Sequence, residues 1–169
     1  MDIFVIVLRL VHVICGVIWV GASVTLAFFI GPTIGATQDA GQQFMRHFIL
    51  RTRFSALIAT TAILTVLAGF ALYYHDSNGF TSAWENSGPG IGFAIGAAFA
   101  LIGLVCGILV GITSGALARL SASIQGKPAP DQLAKLQALA KRQGTIGSVN
   151  VVALLLATIM MAIARYLVF

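Results

Sequence analysis

An arginine and a histidine, Arg9 and His12, lie within an apolar stretch long enough to cross a membrane. An ionisable group in the bilayer costs roughly 2.5–3.5 kcal/mol on insertion scales, so it usually faces protein or serves a function. At about 100° per residue, both residues share a helical stripe with Gly16, Trp19 and Ser23. We therefore expect this stripe to face protein or a cofactor. An imidazole there can ligate a metal, and a guanidinium beside it can hold a carboxylate.

Four apolar stretches exceed the length of about 20 residues that spans a bilayer. They are Ile3–Ile30, roughly Phe54–Tyr74, Ile91–Leu117 and roughly Ile146–Phe169. Only 9% of the 169 residues are charged, and the mean hydropathy is +0.97, whereas soluble domains average about 25% charged residues. The sequence therefore predicts an all-α, four-transmembrane-helix bundle with short loops, folded as one integral membrane domain over residues 1–169.

The ends of the helices are predicted from glycine and proline. The pair Gly31-Pro32 predicts the end of the first helix, because proline breaks the hydrogen-bond ladder. The segment Thr33–Gln42 then forms a short polar loop, and the second helix starts near Gly41. An amphipathic segment, Asp131–Arg142, is predicted to extend the fourth helix into the cytoplasm, with an interruption near two glycines, Gly144 and Gly147.

Positive charges are confined to two of the three predicted loops. The first loop is flanked by Arg46, Arg51 and Arg53. The third loop carries Arg119, Lys127, Lys135, Lys141 and Arg142. The second loop, residues 75–90, has no Lys or Arg. The positive-inside rule places the first and third loops in the cytoplasm and both termini outside. The net charge of +5 therefore reflects membrane topology, and we expect no nucleic-acid partner.

This topology sets Arg9 and Arg165 at matching depth near the outer surface. His12 lies about 4–5 Å deeper than Arg9, at 1.5 Å per residue. The arrangement resembles a haem b site, in which an imidazole ligates iron and arginines meet the propionates. His75, at the outer end of the second helix, is a candidate second ligand, whereas His47 lies at the opposite end. In the alternative interpretation, His12 only donates a hydrogen bond to a neighbouring helix.

The first helix resembles that of a superfamily of small bacterial membrane proteins. The run from His12 to Gly21 (HVICGVIWVG) has the pattern of a histidine, six mostly apolar residues, a tryptophan and a small residue. The segments 51–53 and 67–69 resemble the basic start and the Leu-x-Gly end of the second helix of that superfamily. It includes copper-resistance D proteins and the HemJ-type protoporphyrinogen oxidases. The resemblance covers about the first 75 residues and implies haem ligation at His12, in the bacterial inner (cytoplasmic) membrane.

The third helix departs from the oxidase pattern, because it lacks the polar residues expected there. The resemblance therefore implies haem binding with no reaction assigned, and the catalytic residues stay unknown. The candidate residues of the haem b site are His12, Arg9, Arg165, Trp19, Gly16 and His75. Of these, His12 and His75 are the candidate metal ligands.

The third helix carries glycines at every fourth position, Gly103, Gly107, Gly111 and Gly115. In lipid, such a glycine zipper permits close approach of helices. We expect this face to pack a helix within the chain or to bind a second copy or a membrane-complex partner, with the lipid bilayer around it. A groove for a flat ligand is the further alternative.

The absence of Asp and Glu from the predicted spans disfavours a carboxylate proton relay. The chain also has no phosphate-binding glycine loop, metalloprotease helix or nucleophile elbow. We therefore predict a haem-b-binding membrane protein with a redox or electron-transfer role near the outer face. As an enzyme, it would be a haem-dependent membrane oxidoreductase. One rival is a non-catalytic accessory or assembly subunit. Another is a copper or small-molecule permeation protein, although the soft ligands share no common face: Met160, Met161, Cys15 and Cys106.

Overall fold

Four long helical stretches make up most of the part of the chain that the structure describes. The structure is a computed structural model that describes residues 2–124 and 126–168, so both ends of the predicted domain, residues 1 and 169, lie outside the described residues. The helices long and apolar enough to span a membrane are Ile3–Arg51, Phe54–Asp76, Gly88–Ser123 and Pro130–Tyr166. The described part of the chain contains no strand. The predicted all-α, four-helix membrane fold is therefore confirmed.

The first helix continues where the sequence predicted a loop. Helix α1 (Ile3–Thr25) passes through a π-helical turn, Leu26–Ile30, into helix α2 (Gly31–Arg51). The prediction that Gly31-Pro32 ends the first helix is wrong, because Pro32 lies at the start of the segment after the π turn. Proline has no N–H to donate, and it follows the π turn, in which the regular α-helical hydrogen-bond pattern is already interrupted.

The predicted loop Thr33–Gln42 is instead a kinked helix. Gln38, with a φ of 47° and a ψ of −114°, interrupts the helical backbone of α2. The bend is sharp enough that a Cβ on Gly41 would lie 2.7 Å from the Cα of Ile34. Residues after the kink belong to α2, and a break at Thr52 separates them from helix α3 (Phe54–Asp76).

The last two helices form a long antiparallel pair. Helix α4 (Gly88–Ser123) and helix α5 (Pro130–Ile163) pack closely, and a short 3₁₀ turn, Ala164–Tyr166, ends the second of them. The predicted interruption of the fourth helix near Gly144 and Gly147 is wrong, because α5 is continuous through both residues. A glycine costs a helix only about 1 kcal/mol, so it weakens but does not end one.

The start of α1, the end of the last helix and the α3–α4 connection meet at one end of the bundle. A Cβ on Gly88, the first residue of α4, would clash with the backbone of Leu167 near the end of the chain. Arg9 of α1 and Asp76 of α3 line the same cleft at that end. The α2–α3 and α4–α5 connections therefore lie towards the opposite end, and the predicted orientation of the two ends across the membrane stays a prediction.

The bundle has a small protein-facing core and a large apolar surface. Trp19 is 2% exposed and packs with Ala62 and Leu154 at the centre. Many large side chains point outwards instead, among them Val17 and Phe70. Such a surface suits contact with lipid tails, as expected of a multi-pass membrane protein.

Candidate functional site

His12 joins α1 to α3 through the backbone of a threonine. Its Nδ1 lies 2.8 Å from the carbonyl oxygen of Thr65, in a half-buried position. A carbonyl can only accept, so Nδ1 carries the proton and donates. In the neutral ring, the lone pair is therefore on Nε2, which is the atom free to bind a metal or accept another hydrogen bond.

A glycine on α3 makes room for the imidazole. A Cβ on Gly69 would lie 2.7 Å from Cε1 and 2.9 Å from Nδ1 of His12, closer than real side chains approach. Residue 69 therefore has to be glycine for the ring to reach the carbonyl of Thr65. The hydroxyl of Thr65 is already engaged, because it donates to the carbonyl of Thr61 over 2.7 Å.

Thr65 is a site residue that the sequence analysis missed. It belongs to a small-residue stripe of α3, formed with Thr61 and Gly69 at intervals of four residues. Residues spaced by four lie on one helix face, so the stripe was a usable signal for the surface that receives α1.

The other predicted members of the α1 stripe pack inside the protein. A Cβ on Gly16 would lie 3.5 Å from Cγ2 of Thr65, so this glycine lies directly against α3. Trp19 is enclosed in the core, and Ser23, which is 9% exposed, donates to the carbonyl of Trp19. The expectation that the stripe faces protein is met at these positions. Trp19 is placed as a packing residue.

Arg9 and Arg165 come together at the end of the bundle where α3 connects to α4. They line an open cleft of about 290 Å³ together with Asp76, Trp84, Pro89 and Phe93, and we call it the arginine cleft. Within the described ranges, neither guanidinium forms an ion pair. The rings of Trp84 and Phe93 stack with centroids 6.3 Å apart and form an aromatic wall. Two unpaired guanidiniums beside such a wall suit a ligand with carboxylates.

His75 is not brought to His12. Its Nδ1 lies 3.3 Å from the Oδ1 of Asp76, and nearly half of its side chain is exposed. It follows Gly69 by six residues on α3, which is about 9 Å along the helix axis. No cluster of three His, Cys, Asp or Glu side chains able to hold a metal occurs among the described residues.

The predicted glycine zipper contacts α5 of the same chain. A Cβ on Gly103 would lie 2.5 Å from Cδ2 of Leu154, and one on Gly96, further towards the start of α4 and outside the predicted zipper, would lie 3.2 Å from Cε of Met161. A Cβ on Gly107 would meet only the Oδ1 of Asn150, at 3.6 Å. The part of this face around Gly103 is therefore occupied within the monomer, while an interface between copies stays a prediction.

Comparisons of the chain with protein-family models, with curated proteins and with solved structures find no match. The resemblance of the first two helices to the copper-resistance D and HemJ-type superfamily therefore stays a prediction. The function has to be argued from the His12 contact and the arginine cleft.

Proposed function

We propose that this chain is a haem-b-binding integral membrane protein with a redox role near the outer face of the membrane. The observation that carries the proposal is the hydrogen bond from Nδ1 of His12 to the carbonyl of Thr65. Histidines that ligate metals commonly donate their other ring N–H to a carbonyl or carboxylate, which fixes the tautomer and the ring orientation. His12 therefore has the donor chemistry of an iron ligand, with Nε2 as the ligating atom.

The arginine cleft supplies the second part of the fit. Arg9 precedes His12 by three residues, so it lies about 4.5 Å further out along α1. Arg165 reaches the same cleft from the end of the chain. A haem b carries two propionates beside its iron, and two guanidiniums on one side of an imidazole match that charge pattern.

Each residue has a distinct task in this proposal. His12 holds the iron, with its ring oriented by Thr65 and accommodated by Gly69. Arg9 and Arg165 bind propionates, and Trp84 and Phe93 shield the cleft on one side. Bound haem would supply one-electron chemistry. Because His75 lies about 9 Å from Gly69 along α3, we assign no iron contact to it.

We further propose the orientation in which both termini lie outside a bacterial inner membrane. Arg51 and Arg53 flank the start of α3, whose other end, at Asp76, lines the arginine cleft, so they lie at the opposite end of the bundle, where the positive-inside rule expects cytoplasm. The site would then face the periplasmic side, and electrons would enter or leave at that surface.

The test is an absorption spectrum of protein purified from cells supplied with iron and haem precursor. We expect a Soret band and sharp reduced α and β bands in the wild type. His12→Ala should abolish them or greatly reduce them. His47→Ala is the matched control, because it removes a histidine from the cytoplasmic end and should leave the spectrum unchanged. Gel filtration in detergent confirms that each variant is folded.

Two outcomes would overturn the haem proposal. One is a folded His12→Ala protein with the haem content of the wild type. The other is a colourless wild type under haem-replete growth, which would favour an accessory subunit or a permeation protein. The copper alternative predicts a colourless protein whose metal content rises with added copper.

A further inference from the structure

Helix α2 lies at the end of the bundle opposite to the arginine cleft. Ile30, just before α2, is about 32 Å from Arg9 along the helix axis. Helix α3 has 23 residues, so Phe54, its first residue, is about 33 Å from Asp76. Helix α2 therefore leaves α1 and returns to α3 at nearly the same depth. The separation matches the hydrocarbon thickness of a bilayer, about 30 Å, which places α2 close to the lipid headgroups of one leaflet.

The kink of α2 at Gln38 encloses a pocket of about 380 Å³. It is lined by Ile30 and Ile34 from the chain before the kink and by Gly41 and Phe44 from the helix after it. The two walls meet where Gly41 lies so close to the backbone of Ile34 that a Cβ would not fit between them. Pockets of this size take small ligands or single chains of larger ones. We call this space the kink pocket.

The wall of the kink pocket is apolar. Its two threonines use their hydroxyl protons within the helix, since Thr33 donates to the carbonyl of Phe29 and Thr37 to that of Thr33, both over 2.7 Å. Phe29 and Phe44 also line the pocket, and they are 66% and 53% exposed. The pocket therefore presents apolar surface that the described part of the chain leaves uncovered. A hydrocarbon chain suits it, whereas a polar ligand would lose hydrogen bonds there.

A guanidinium lies on the same face of α2 as the pocket wall. Arg51 follows Phe44 by seven residues, so it is within about 20° of it around the helix and about 10 Å further along. Arg51 is exposed, and it forms no ion pair with any described residue. The one acidic residue of α2, Asp39, lies about 140° away from Phe44 around the helix. This face of α2 is therefore apolar at the kink and cationic near Arg51.

Stacked rings hold this part of α2 against α3. The ring of Phe44 stacks on that of Phe48 with centroids 5.7 Å apart. Phe48 in turn packs on Phe54, with centroids 4.5 Å apart. The aromatic contacts fix the wall of the kink pocket, and with it the position of Arg51, relative to the membrane-spanning helix.

We propose that the kink pocket and Arg51 bind an anionic phospholipid, with one acyl chain in the pocket and the phosphate at Arg51. The lipid combines the hydrocarbon chain that the pocket suits with the negative charge that Arg51 attracts. A guanidinium binds phosphate through paired hydrogen bonds, and basic residues beside a membrane favour anionic headgroups. The site lies at the opposite end of the bundle from the arginine cleft, and its test does not involve haem.

The experiment is native mass spectrometry of delipidated full-length protein in detergent. Dioleoyl phosphatidylglycerol and dioleoyl phosphatidylcholine are added separately at equal concentration, since they share acyl chains and only the first is anionic. We expect the adduct of phosphatidylglycerol to exceed that of phosphatidylcholine about two- to fivefold, the size of an exposed ion pair. Equal adducts of the two lipids would overturn the proposal.

Charge variants test the place of Arg51. Arg51→Gln should remove the preference for phosphatidylglycerol, whereas Arg51→Lys should keep most of it. Arg46→Gln is the matched control, because it removes the same charge from the same helix about 160° away from Phe44. It should leave the preference unchanged. An equal loss of preference in Arg46→Gln and Arg51→Gln would indicate diffuse attraction to the basic end and would overturn the proposed site.

Filling the pocket tests the acyl chain. Ala40 lines the kink pocket, so Ala40→Phe should lower the adducts of both lipids severalfold. Ala36→Phe is the control, because it adds the same ring to α2 outside the pocket lining. Both alanines are exposed, and Tm without added lipid checks that each variant is folded. Unchanged adducts in Ala40→Phe would overturn the proposal, as would a dimer lost only in Ala40→Phe, which would assign the pocket to a second copy.

Discussion

The Nδ1 of His12 and the carbonyl oxygen of Thr65 lie 2.8 Å apart and connect α1 to α3 inside the apolar layer. In an α-helix, the same carbonyl also accepts from the amide of the residue four positions later, which here is Gly69. The imidazole of His12 and the amide of Gly69 therefore donate to the same carbonyl, that of Thr65, and the ring lies over Gly69. The fit between His12 and α3 therefore depends on the lack of a side chain at position 69.

Adding a side chain at position 69 should displace the imidazole. In Gly69→Val, the Cβ would lie 2.7 Å from Cε1 of His12, so the ring must leave the carbonyl of Thr65. We expect lower Tm and haem loss approaching that of His12→Ala. Haem per folded protein and Tm are the measurements, with Gly21→Ala as the control on α1. Wild-type haem content in a folded Gly69→Val protein would show that the ring orientation is not needed.

Loss of Arg9 or Arg165 should weaken the retention of haem but not abolish its binding. The cleft is open, and an exposed charge pair contributes about 0.2–1 kcal/mol, so each single variant, Arg9→Ala or Arg165→Ala, should weaken retention up to about fivefold. The double variant should lose more, while the iron ligand and the Soret band remain. Haem transfer to a scavenging apoprotein measures retention. If either single variant were colourless, the arginines would have a larger role than propionate contacts provide.

The carboxylate of Asp76 should act in the opposite direction. Asp76 lines the same cleft as Arg9 and Arg165, and its negative charge disfavours an anionic ligand there. Asp76→Asn should therefore slow haem loss, and the difference should shrink at high ionic strength because salt screens exposed charges. The measurement is the transfer rate at two salt concentrations. Faster loss from Asp76→Asn would instead indicate that the carboxylate positions an arginine.

The contact between Gly103 and Leu154 should dominate the stability of the α4–α5 pair. Gly103→Leu would force the helices apart, because even a Cβ would lie 2.5 Å from Cδ2 of Leu154. We expect a loss of folding stability of the size seen for overpacked cores, about 1–3 kcal/mol. Leu154 is a core residue, so Leu154→Ala destabilises on its own, but it should cost less in the Gly103→Leu background because it opens the space. A double variant destabilised by the sum of the two single effects would rule out this contact as the cause.

The orientation of the bundle can be tested with single cysteines. In a background with Cys15→Ala and Cys106→Ala, Asn86→Cys should label from outside intact cells, whereas Ser123→Cys should label only after permeabilisation. Both positions are exposed in the structure, so access is not limited by burial. Labelling of Ser123→Cys alone from outside would invert the proposed topology.

The sequence by itself determined the number and the composition of the spans. In lipid, the backbone N–H and C=O groups of an apolar stretch of about 20 residues have no water to bind. Such a stretch therefore crosses the membrane as a helix, which forms all its backbone hydrogen bonds internally. Helical periodicity also identified the α1 stripe that carries His12, since it assigns residues to a face. The prediction of helix ends was wrong at Pro32 and at Gly144. Glycine and proline weaken a helix locally, but neighbouring contacts decide whether the helix ends there.

Only the tertiary structure decided what those residues touch. Thr65 and Gly69 receive His12 through an antiparallel α1–α3 contact, and no spacing within α1 can specify a partner on another helix. The meeting of Arg9 with Arg165 and the separation of His75 from His12 follow from helix register. The contact between Gly103 and Leu154 is of the same kind. Such register is set by how the side chains of two helices interlock, a property that neither helix carries alone.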